Sequence, residues 1–128
     1  MVTDYSPDGF THTSVLYKPD QGLITIDRHA ANRKKGIDAH AESSPLTLLL
    51  QHDKKNATIN RECLEMHIFY DDDLLEVFVN DRVAMRTQTQ PDSGKCFGVN
   101  SWIGENGSAK MLRCELWELK LGGRELKL

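Results

Sequence analysis

Apolar and polar side chains alternate over residues 64–70 and again over residues 74–79. A period of two, carried by β-branched and aromatic residues, predicts strands rather than helices. The acidic triplet at residues 71–73 predicts a hairpin turn between the two strands. The dipeptide Asn80-Asp81 predicts a second tight turn, which leads into residues 83–85. The pattern therefore predicts an antiparallel three-stranded meander at the centre of the protein.

The alternation divides the side chains of this meander between two faces. One set is almost entirely apolar and consists of Leu64, Met66, Ile68, Tyr70, Leu75, Val77 and Val79. The other set mixes polar, charged and aromatic residues and consists of Glu65, His67, Phe69, Leu74, Glu76 and Phe78. Because successive side chains of a strand point to opposite faces, we expect His67 to be partly exposed on the face opposite Leu64 and Met66.

The flanking sequence predicts further short strands. They are expected at residues 11–17, 23–27, 45–50 and 96–100. Turns, marked by clusters of Pro, Gly, Asn and Asp, are expected at residues 6–9, 18–22, 91–94 and 104–107. Residues 29–44 are interpreted as a long polar surface loop and residues 51–60 as a polar connection. Short strands separated by turn signals are typical of an all-β antiparallel sandwich.

Residues 109–121 fit two patterns. A helical stripe would consist of Met111, Leu112, Glu115, Leu116 and Leu119. Alternation would put Leu112, Cys114 and Leu116 on one face, and Arg113, Glu115 and Trp117 on the other. Periodicity alone therefore leaves both a helix and a strand open for this segment.

Size and charge limit the possible classes of protein. The 128 residues suffice for one domain, expected to span residues 1–128. A net charge of −3, spread over the chain, gives no electrostatic footprint for nucleic acid. No run approaches the roughly 20 apolar residues of a membrane span. The N-terminus lacks the basic start and apolar core of a secretory signal, so we expect a cytoplasmic protein or a fragment of a secreted one.

The three cysteines, Cys63, Cys96 and Cys114, are too widely spaced for a Cys-x-x-Cys motif. We interpret them as buried, reduced thiols. Without a cluster of suitable ligands, no metal site and no cofactor are expected.

The central meander also carries a family resemblance. Residues 69–81 read Phe-Tyr-Asp-Asp-Asp-Leu-Leu-Glu-Val-Phe-Val-Asn-Asp. This resembles the C-terminal β-sandwich module of glycoside hydrolase family 32, the invertases, inulinases and fructosyltransferases. That module has a strand ending in Asp, a short turn, and a run of the type Val-Glu-Val-Phe-Val-Asn-Asp/Gly. The family usually has Arg or His followed by Ser where this chain has Asp72-Asp73.

Weaker motifs extend the resemblance over about residues 11–119. A Thr-x-Val-x-Tyr strand, a turn containing Gly22 and a Val-Asp-Arg-like end at residues 26–28 are similar to a hairpin of the family module. Residues 116–119, Leu-Trp-Glu-Leu, are similar to its last strand. The resemblance implies a sandwich of the jelly-roll or concanavalin-like kind, and it favours a strand over residues 109–121. Fewer strands precede the first hairpin than in the family, so we expect the chain to dimerise or to dock onto another chain.

The family's catalytic residues lie in a separate propeller domain, and their motifs are absent here. The sequence contains neither Asn-Asp-Pro nor Arg-Asp-Pro. The dipeptide Glu62-Cys63 matches the third motif, but we interpret it as a coincidence, because a retaining glycosidase needs two carboxyl groups about 5 Å apart. We therefore expect no catalytic residues and no enzyme activity from this chain alone.

The resemblance implies a non-catalytic module that binds carbohydrate (fructan-like or sucrose-like) or acts as a scaffold for another domain or a second copy. One alternative is a fragment of a fructan- or sucrose-cleaving enzyme that needs a missing catalytic domain. Another is a sandwich recruited as a small-molecule enzyme, with a pocket on a concave face or in a dimer cleft.

Five residues are candidates for ligand binding. Trp102 offers an aromatic ring on which a sugar would stack, and the nearby Asn100 offers an amide for its hydroxyl groups. Tyr70 stands beside the acidic turn, while Asp27 and Arg28 end a predicted strand. Each candidate also has an explanation without a ligand. Trp102 would pack in the core or at its rim, the acidic turn beside Tyr70 would only be solvated, and Asp27 would form an ion pair with Arg28.

Overall fold

The computed structural model describes residues 2–5, 11–32, 40–71, 73–89 and 98–118. Within them the chain forms ten strands and no helix. The strands are β1 (Val2–Tyr5), β2 (Thr13–Lys18), β3 (Leu23–Asp27), β4 (Glu42–Pro45), β5 (Leu50–Asp53), β6 (Thr58–Arg61), β7 (Met66–Asp71), β8 (Leu74–Val79), β9 (Val83–Gln88) and β10 (Gly98–Asn100). No helix in this part of the chain is long and apolar enough to cross a membrane.

All strand pairs are antiparallel and form three sheets. The largest has the strand order β10-β1-β2-β3-β4. The meander forms a second sheet, β7-β8-β9, and the hairpin β5-β6 forms a third. The prediction of an all-β antiparallel sandwich is thereby confirmed.

The meander has the predicted order of three antiparallel strands. Met66 lies opposite Val79, and Val79 lies opposite Val83 on the next strand. Asn80 and Asp81, between β8 and β9, have φ angles of 49° and 52°. Two successive positive φ values are typical of a type I′ turn, whose twist matches that of the strands it joins. The tight turn predicted from Asn80-Asp81 is confirmed.

The core lies between the five-stranded sheet and the meander. The first contributes Val15, Ile24 and Ile26, and the second contributes Leu75, Val77, Val79 and Val83, with Leu46 packed among them. These residues alternate with more exposed ones along β8, where Leu75, Val77 and Val79 are buried. Burial of each such side chain contributes about 1.5–3 kcal/mol, so this cluster is the main apolar contact between the two sheets.

Two predicted connections proved to contain strands. Residues 42–44, in the surface loop predicted over residues 29–44, belong to β4, and residues 2–5 form a strand, β1, that was not predicted. Residues 51–60, interpreted as a connection, contain most of the β5-β6 hairpin. Nearly every side chain of that hairpin is exposed, so the sequence has no alternation of apolar and polar residues there.

The predicted buried strand at residues 45–50 is wrong. The chain leaves β4 at Pro45 and enters β5 only at Leu50. Leu46 is buried in the core, whereas Leu49 and Leu50 are exposed. A continuous apolar run carries no periodicity, so it did not reveal that the chain leaves one sheet here and enters another.

The preference for a strand at 109–121 is not confirmed over the described part of that segment. Residues 101–118 form neither strand nor helix, and every side chain in them is exposed. Cys63 and Cys114 are free thiols, as predicted, but they are exposed rather than buried. Cys96, the turns predicted at 6–9 and 91–94, and the start of the strand predicted at 96–100 lie outside the described residues.

Candidate functional site

Arg28, one residue beyond β3, links the two sheets. Its side chain is only 7% exposed. The guanidinium donates hydrogen bonds to the backbone oxygens of His40, at 3.2 Å, and Gln88, at 2.7 Å. Because Gln88 ends β9, the second bond crosses from the five-stranded sheet to the meander. The planar fork of arginine, with five N–H donors, suits several acceptors at once.

Glu42, the first residue of β4, completes this connection. Its Oε1 accepts from Nη2 of Arg28 at 3.3 Å and from the hydroxyl of Thr87 at 2.9 Å. Thr87 belongs to β9, so one carboxylate oxygen joins residues of both sheets. We call Arg28, Glu42 and Thr87 the polar latch.

An open cleft of about 430 Å³ lies over the polar latch. Its lining residues are Arg28, His40, Glu42, Leu74, Arg86, Thr87 and Gln88. Two cations and one carboxylate face a single opening, together with an amide and one apolar side chain. Such a lining provides donors and acceptors for a small polar ligand, although the cleft is open to solvent and mostly polar.

A second polar cluster fixes the β5-β6 hairpin to the end of the meander. Nη1 and Nη2 of Arg82 donate to the two oxygens of Glu62, at 2.6 and 2.9 Å. Glu62 also accepts from the backbone N–H of Leu49 at 2.8 Å. Hydrogen bonds from Arg82, and next from the Leu49 amide, lower the pKa of Glu62 to about 2. An acid this strong is ionised at neutral pH, which disfavours Glu62 as a general acid.

The low pKa of Glu62 makes a pH-dependent contribution to stability. The folded-state value of about 2 lies below the reference value of 4.5, so the ion pair stabilises the fold fully above pH 4.5. This stabilisation is lost as the pH falls toward 2. We expect the melting temperature to exceed that of Glu62→Gln by a constant amount from about pH 8 to about pH 5, and the difference to shrink below pH 4.5. Glu105→Gln, in an exposed turn, is the control, and a difference independent of pH would contradict the prediction.

An ion pair between Asp27 and Arg28 was the structural alternative to a binding site, and the structure does not form it. Asp27 accepts from the backbone N–H of His29 at 3.0 Å, and its Oδ1 lies 2.7 Å from Nδ1 of the same histidine. Burial raises the pKa of Asp27, but the hydrogen bonds from His29 outweigh it and the net shift is downward. Arg28 instead belongs to the polar latch.

The five predicted ligand-binding residues do not converge on one site. Asn100 lies opposite Val2, Val2 opposite Ser14, and Ser14 opposite Asp27. At about 4.8 Å per strand, the backbones of Asn100 and Asp27 are about 14 Å apart. Tyr70 lies on the inner face of the meander and packs against the core.

Trp102 is 46% exposed, so it does not belong to the core. It follows β10 in residues 101–118, which have no regular structure. Its neighbour Asn100 uses its amide oxygen to accept from the backbone N–H of Ser101 at 2.8 Å. The amide nitrogen of Asn100 is the group that would be available for a ligand beside the Trp102 ring.

Large apolar side chains are exposed throughout residues 98–118, which we call the C-terminal segment. They are Val99, Trp102, Ile103, Met111, Leu112, Leu116 and Trp117. Leu112, Leu116 and Trp117 are each at least 70% exposed. Exposed apolar residues are ordinary when scattered singly, but seven within one short segment are typical of a contact surface.

The prediction missed the residues that surround Arg28. Glu42, Thr87 and Gln88 are separated from it by 14 to 60 positions in the chain. Polar residues at strand ends are common, and their convergence depends on how the two sheets pack. No local sequence signal was available to find them. In the described part of the chain, no group of three or more His, Cys, Asp or Glu residues is placed to hold a metal ion.

Comparison with known proteins agrees with this architecture. The sequence model described as "Glycosyl hydrolases family 32 C terminal" matches residues 2–118. A solved structure titled "Crystal Structure of A. japonicus CB05" superposes with a TM-score of 0.65 at 20% identity. The match covers 75% of this chain but only 15% of that one, so it shows a shared fold with a small part of a longer protein. No match was found among curated proteins. The chain, which matches the family over nearly its whole length, belongs to the C-terminal β-sandwich family of glycoside hydrolase family 32.

Proposed function

We propose that this chain is a non-catalytic module that acts by contact with another polypeptide. The observation that carries the proposal is the exposed apolar C-terminal segment. Tryptophan is enriched among the residues that dominate the energy of protein interfaces, and the segment contains both tryptophans of the chain. Burying such side chains against a partner would remove their apolar surface from water, which would stabilise the complex.

The environment of Glu62 supports a non-catalytic role. Among the residues of this chain, the Glu62-Cys63 dipeptide is the part that resembles a catalytic motif of the family. Its carboxylate is held by Arg82 and the Leu49 amide, and its pKa of about 2 is the opposite of the raised value that a glycosidase acid needs.

The partner we propose is a glycoside hydrolase catalytic domain, on the same polypeptide or on another. The family to which this chain belongs is defined as a C-terminal part of glycosyl hydrolases, and the A. japonicus chain is several times longer. A module with an apolar contact segment suits a supporting role beside such a domain. A second copy of this chain is the competing partner.

The test is analytical ultracentrifugation of the chain mixed with a family 32 catalytic domain produced without its own C-terminal module. We expect a complex that the triple variant Leu112→Ser, Leu116→Ser and Trp117→Ser weakens about 100-fold, because central apolar residues carry most interface energy. The matched control, Leu49→Ser, Leu50→Ser and Ile59→Ser, removes three comparably exposed apolar side chains near or in the β5-β6 hairpin. Absence of a complex, or equal weakening by both triple variants, would contradict the proposal. Self-association through the same segment would identify the second copy as partner.

Carbohydrate binding at Trp102 is a second candidate function. The exposed ring and the amide nitrogen of Asn100 support it. Asp27, Arg28 and Tyr70 do not add to that site, since they engage His29, the polar latch and the core respectively. The small-molecule enzyme considered above would need the cleft over the polar latch.

A further inference from the structure

The side of the meander that points away from the core carries an exposed aromatic pair. Phe69 is 45% exposed and Phe78 is 39% exposed. Their ring centroids are 5.9 Å apart and their planes meet at 79°. Because each ring supports the other in this edge-to-face arrangement, the pair has a defined geometry while part of both rings remains in water. We call this side the outer face, and its aromatic and charged members are Glu65, His67, Phe69, Asp71, Glu76, Phe78 and Arg86.

Three carboxylates share the outer face with the aromatic pair. Glu76 lies directly opposite Phe69 on the neighbouring strand, and Asp71 follows Phe69 on the same face of β7. Glu65 precedes β7, and its carboxylate lies 2.8 Å from Nε2 of His67, so it belongs to this face as well. Opposite side chains of a sheet are roughly 5 Å apart, and side chains two positions apart along a strand are about 7 Å apart. Asp71 and Glu76 therefore flank the Phe69 ring.

Arg86 is the cation that faces these carboxylates. It lies opposite Glu76 on β9, with Nε 3.9 Å from a carboxylate oxygen, which is too long for a hydrogen bond. Two strand spacings, about 10 Å, separate its backbone from that of Phe69. Among the described residues of the outer face, three carboxylates thus face one guanidinium when His67 is neutral. The surplus of negative charge lies on the β7 side, where Phe69 is.

We propose that the outer face docks an extended, lysine-bearing segment of a partner polypeptide. The face of an aromatic ring attracts a cation that lies within about 6 Å of the ring centroid. An ammonium group above Phe69 would also be within reach of Asp71 and Glu76. The methylene groups of the same lysine would cover the exposed part of the aromatic pair, because long cationic side chains bury their stems against apolar surface.

The positions of the carboxylates favour an extended segment. Glu65 and Asp71 are separated by six positions, which corresponds to about 20 Å of strand. Alternate side chains of an extended segment also repeat about every 7 Å. A segment that runs along β7 with lysines at alternate positions would therefore meet Asp71, the Phe69 ring and Glu65 in turn.

The size of the outer face favours a single segment over a folded domain. Its three strands of six residues cover roughly 10 Å by 20 Å. A stable interface between two folded proteins usually needs about 800 Å² from each partner. The competing occupant is a second copy of this chain, since the β5-β6 hairpin carries exposed Lys54 and Lys55 between its strands. The outer face is separate from the C-terminal segment, so this proposal does not rest on the contact function.

The test is isothermal titration calorimetry of the whole chain with the capped heptapeptide Lys-Thr-Lys-Thr-Lys-Thr-Lys. We expect saturable binding that weakens with added salt, and none for the peptide with Gln in place of Lys. Phe69→Leu keeps an apolar side chain but removes the ring, so it is expected to weaken binding about threefold, whereas Phe69→Tyr is expected to retain it. Unchanged melting temperatures would show that the variants remain folded.

The double variant Asp71→Asn and Glu76→Gln is expected to weaken binding about tenfold, because it removes both carboxylates beside the ring. The matched control, Glu105→Gln and Glu118→Gln, changes the net charge equally at exposed positions outside the outer face and is expected to leave binding nearly unchanged.

Three outcomes would overturn the proposal. The first is the absence of saturable binding. The second is equal weakening by both double variants, or full binding by Phe69→Leu, which would show attraction by net charge without the aromatic pair. The third is self-association of the chain without peptide that Phe69→Leu abolishes, which would assign the outer face to a second copy.

Discussion

The Leu75→Ala variant is expected to lose about 3 kcal/mol of unfolding free energy, the largest effect of any single substitution proposed for this protein. Leu75 lies in the middle strand of the meander and is fully buried. It belongs to the cluster that joins the meander to the five-stranded sheet. The truncation removes apolar contacts and also leaves a cavity, because β8 is held between two strands and cannot move inward to fill it.

Chemical denaturation monitored by circular dichroism would measure this loss. A domain of this size has roughly 5–15 kcal/mol of stability in total, so the midpoint should shift clearly. Leu50→Ala makes the same change at an exposed position of β5 and is expected to cost less than about 0.5 kcal/mol. Similar losses in both variants would contradict the placement of the core between the two sheets.

The Arg28→Met variant is expected to lose about 2–3 kcal/mol. Methionine fills much of the same space but cannot donate to the backbone oxygens of His40 and Gln88 or to Glu42. Two carbonyl groups would then lose their Arg28 donor where Arg28 itself is buried, and the Glu42 carboxylate would keep only the Thr87 hydroxyl. The loss is smaller than that for a fully buried ion pair, because the Glu42 side chain is 37% exposed and regains water.

Arg28→Lys tests whether geometry or charge matters at this position. A lysine keeps the positive charge but cannot present a planar fork to three acceptors, so we expect it to recover less than half of the lost stability. Arg61→Met, at an exposed position of β6, is the control for the loss of an arginine and is expected to be nearly neutral. Full recovery by lysine would show that the polar latch acts through charge alone.

The meander could be predicted from the sequence because its information is local. Alternation over residues 66–70 and 74–79 assigned both faces correctly, and the burial along β7 and β8 follows it. Leu64, predicted on the apolar face, instead precedes β7 and is exposed. The turn at Asn80-Asp81 followed from side chains that tolerate positive φ. The family resemblance carried by the same residues is also confirmed.

The regions that were predicted wrongly lack such local information. The β5-β6 hairpin is exposed on both faces, so its sequence has no alternation of apolar and polar residues that would predict strands. The apolar run at residues 45–50 contains one core residue, Leu46, and exposed leucines next to it. In residues 109–118 the alternation was present, but strands also need a neighbouring strand to receive their backbone hydrogen bonds, and no strand in the described part of the chain pairs with this segment.

The candidate sites show the same division. Trp102 could be named from its sequence context, and its exposure is compatible with that prediction. Phe69 and Phe78 were placed correctly on the mixed face, but their approach to 5.9 Å depends on the strand register. Of the polar latch only Arg28 was named from the sequence, because Glu42 and Thr87 meet it only after the two sheets have packed.

The sequence by itself determined the β class, the central meander, its inward and outward faces, and the family. Each of these depends on side-chain periodicity or on a turn, and both are properties of residues a few positions apart. Only the tertiary structure decided which strands are neighbours in the larger sheet, which apolar side chains remain exposed, and which polar groups surround the cleft. These depend on contacts between residues far apart in the chain, such as Arg28 with Gln88, which form because packing two sheets around one core brings their edges together.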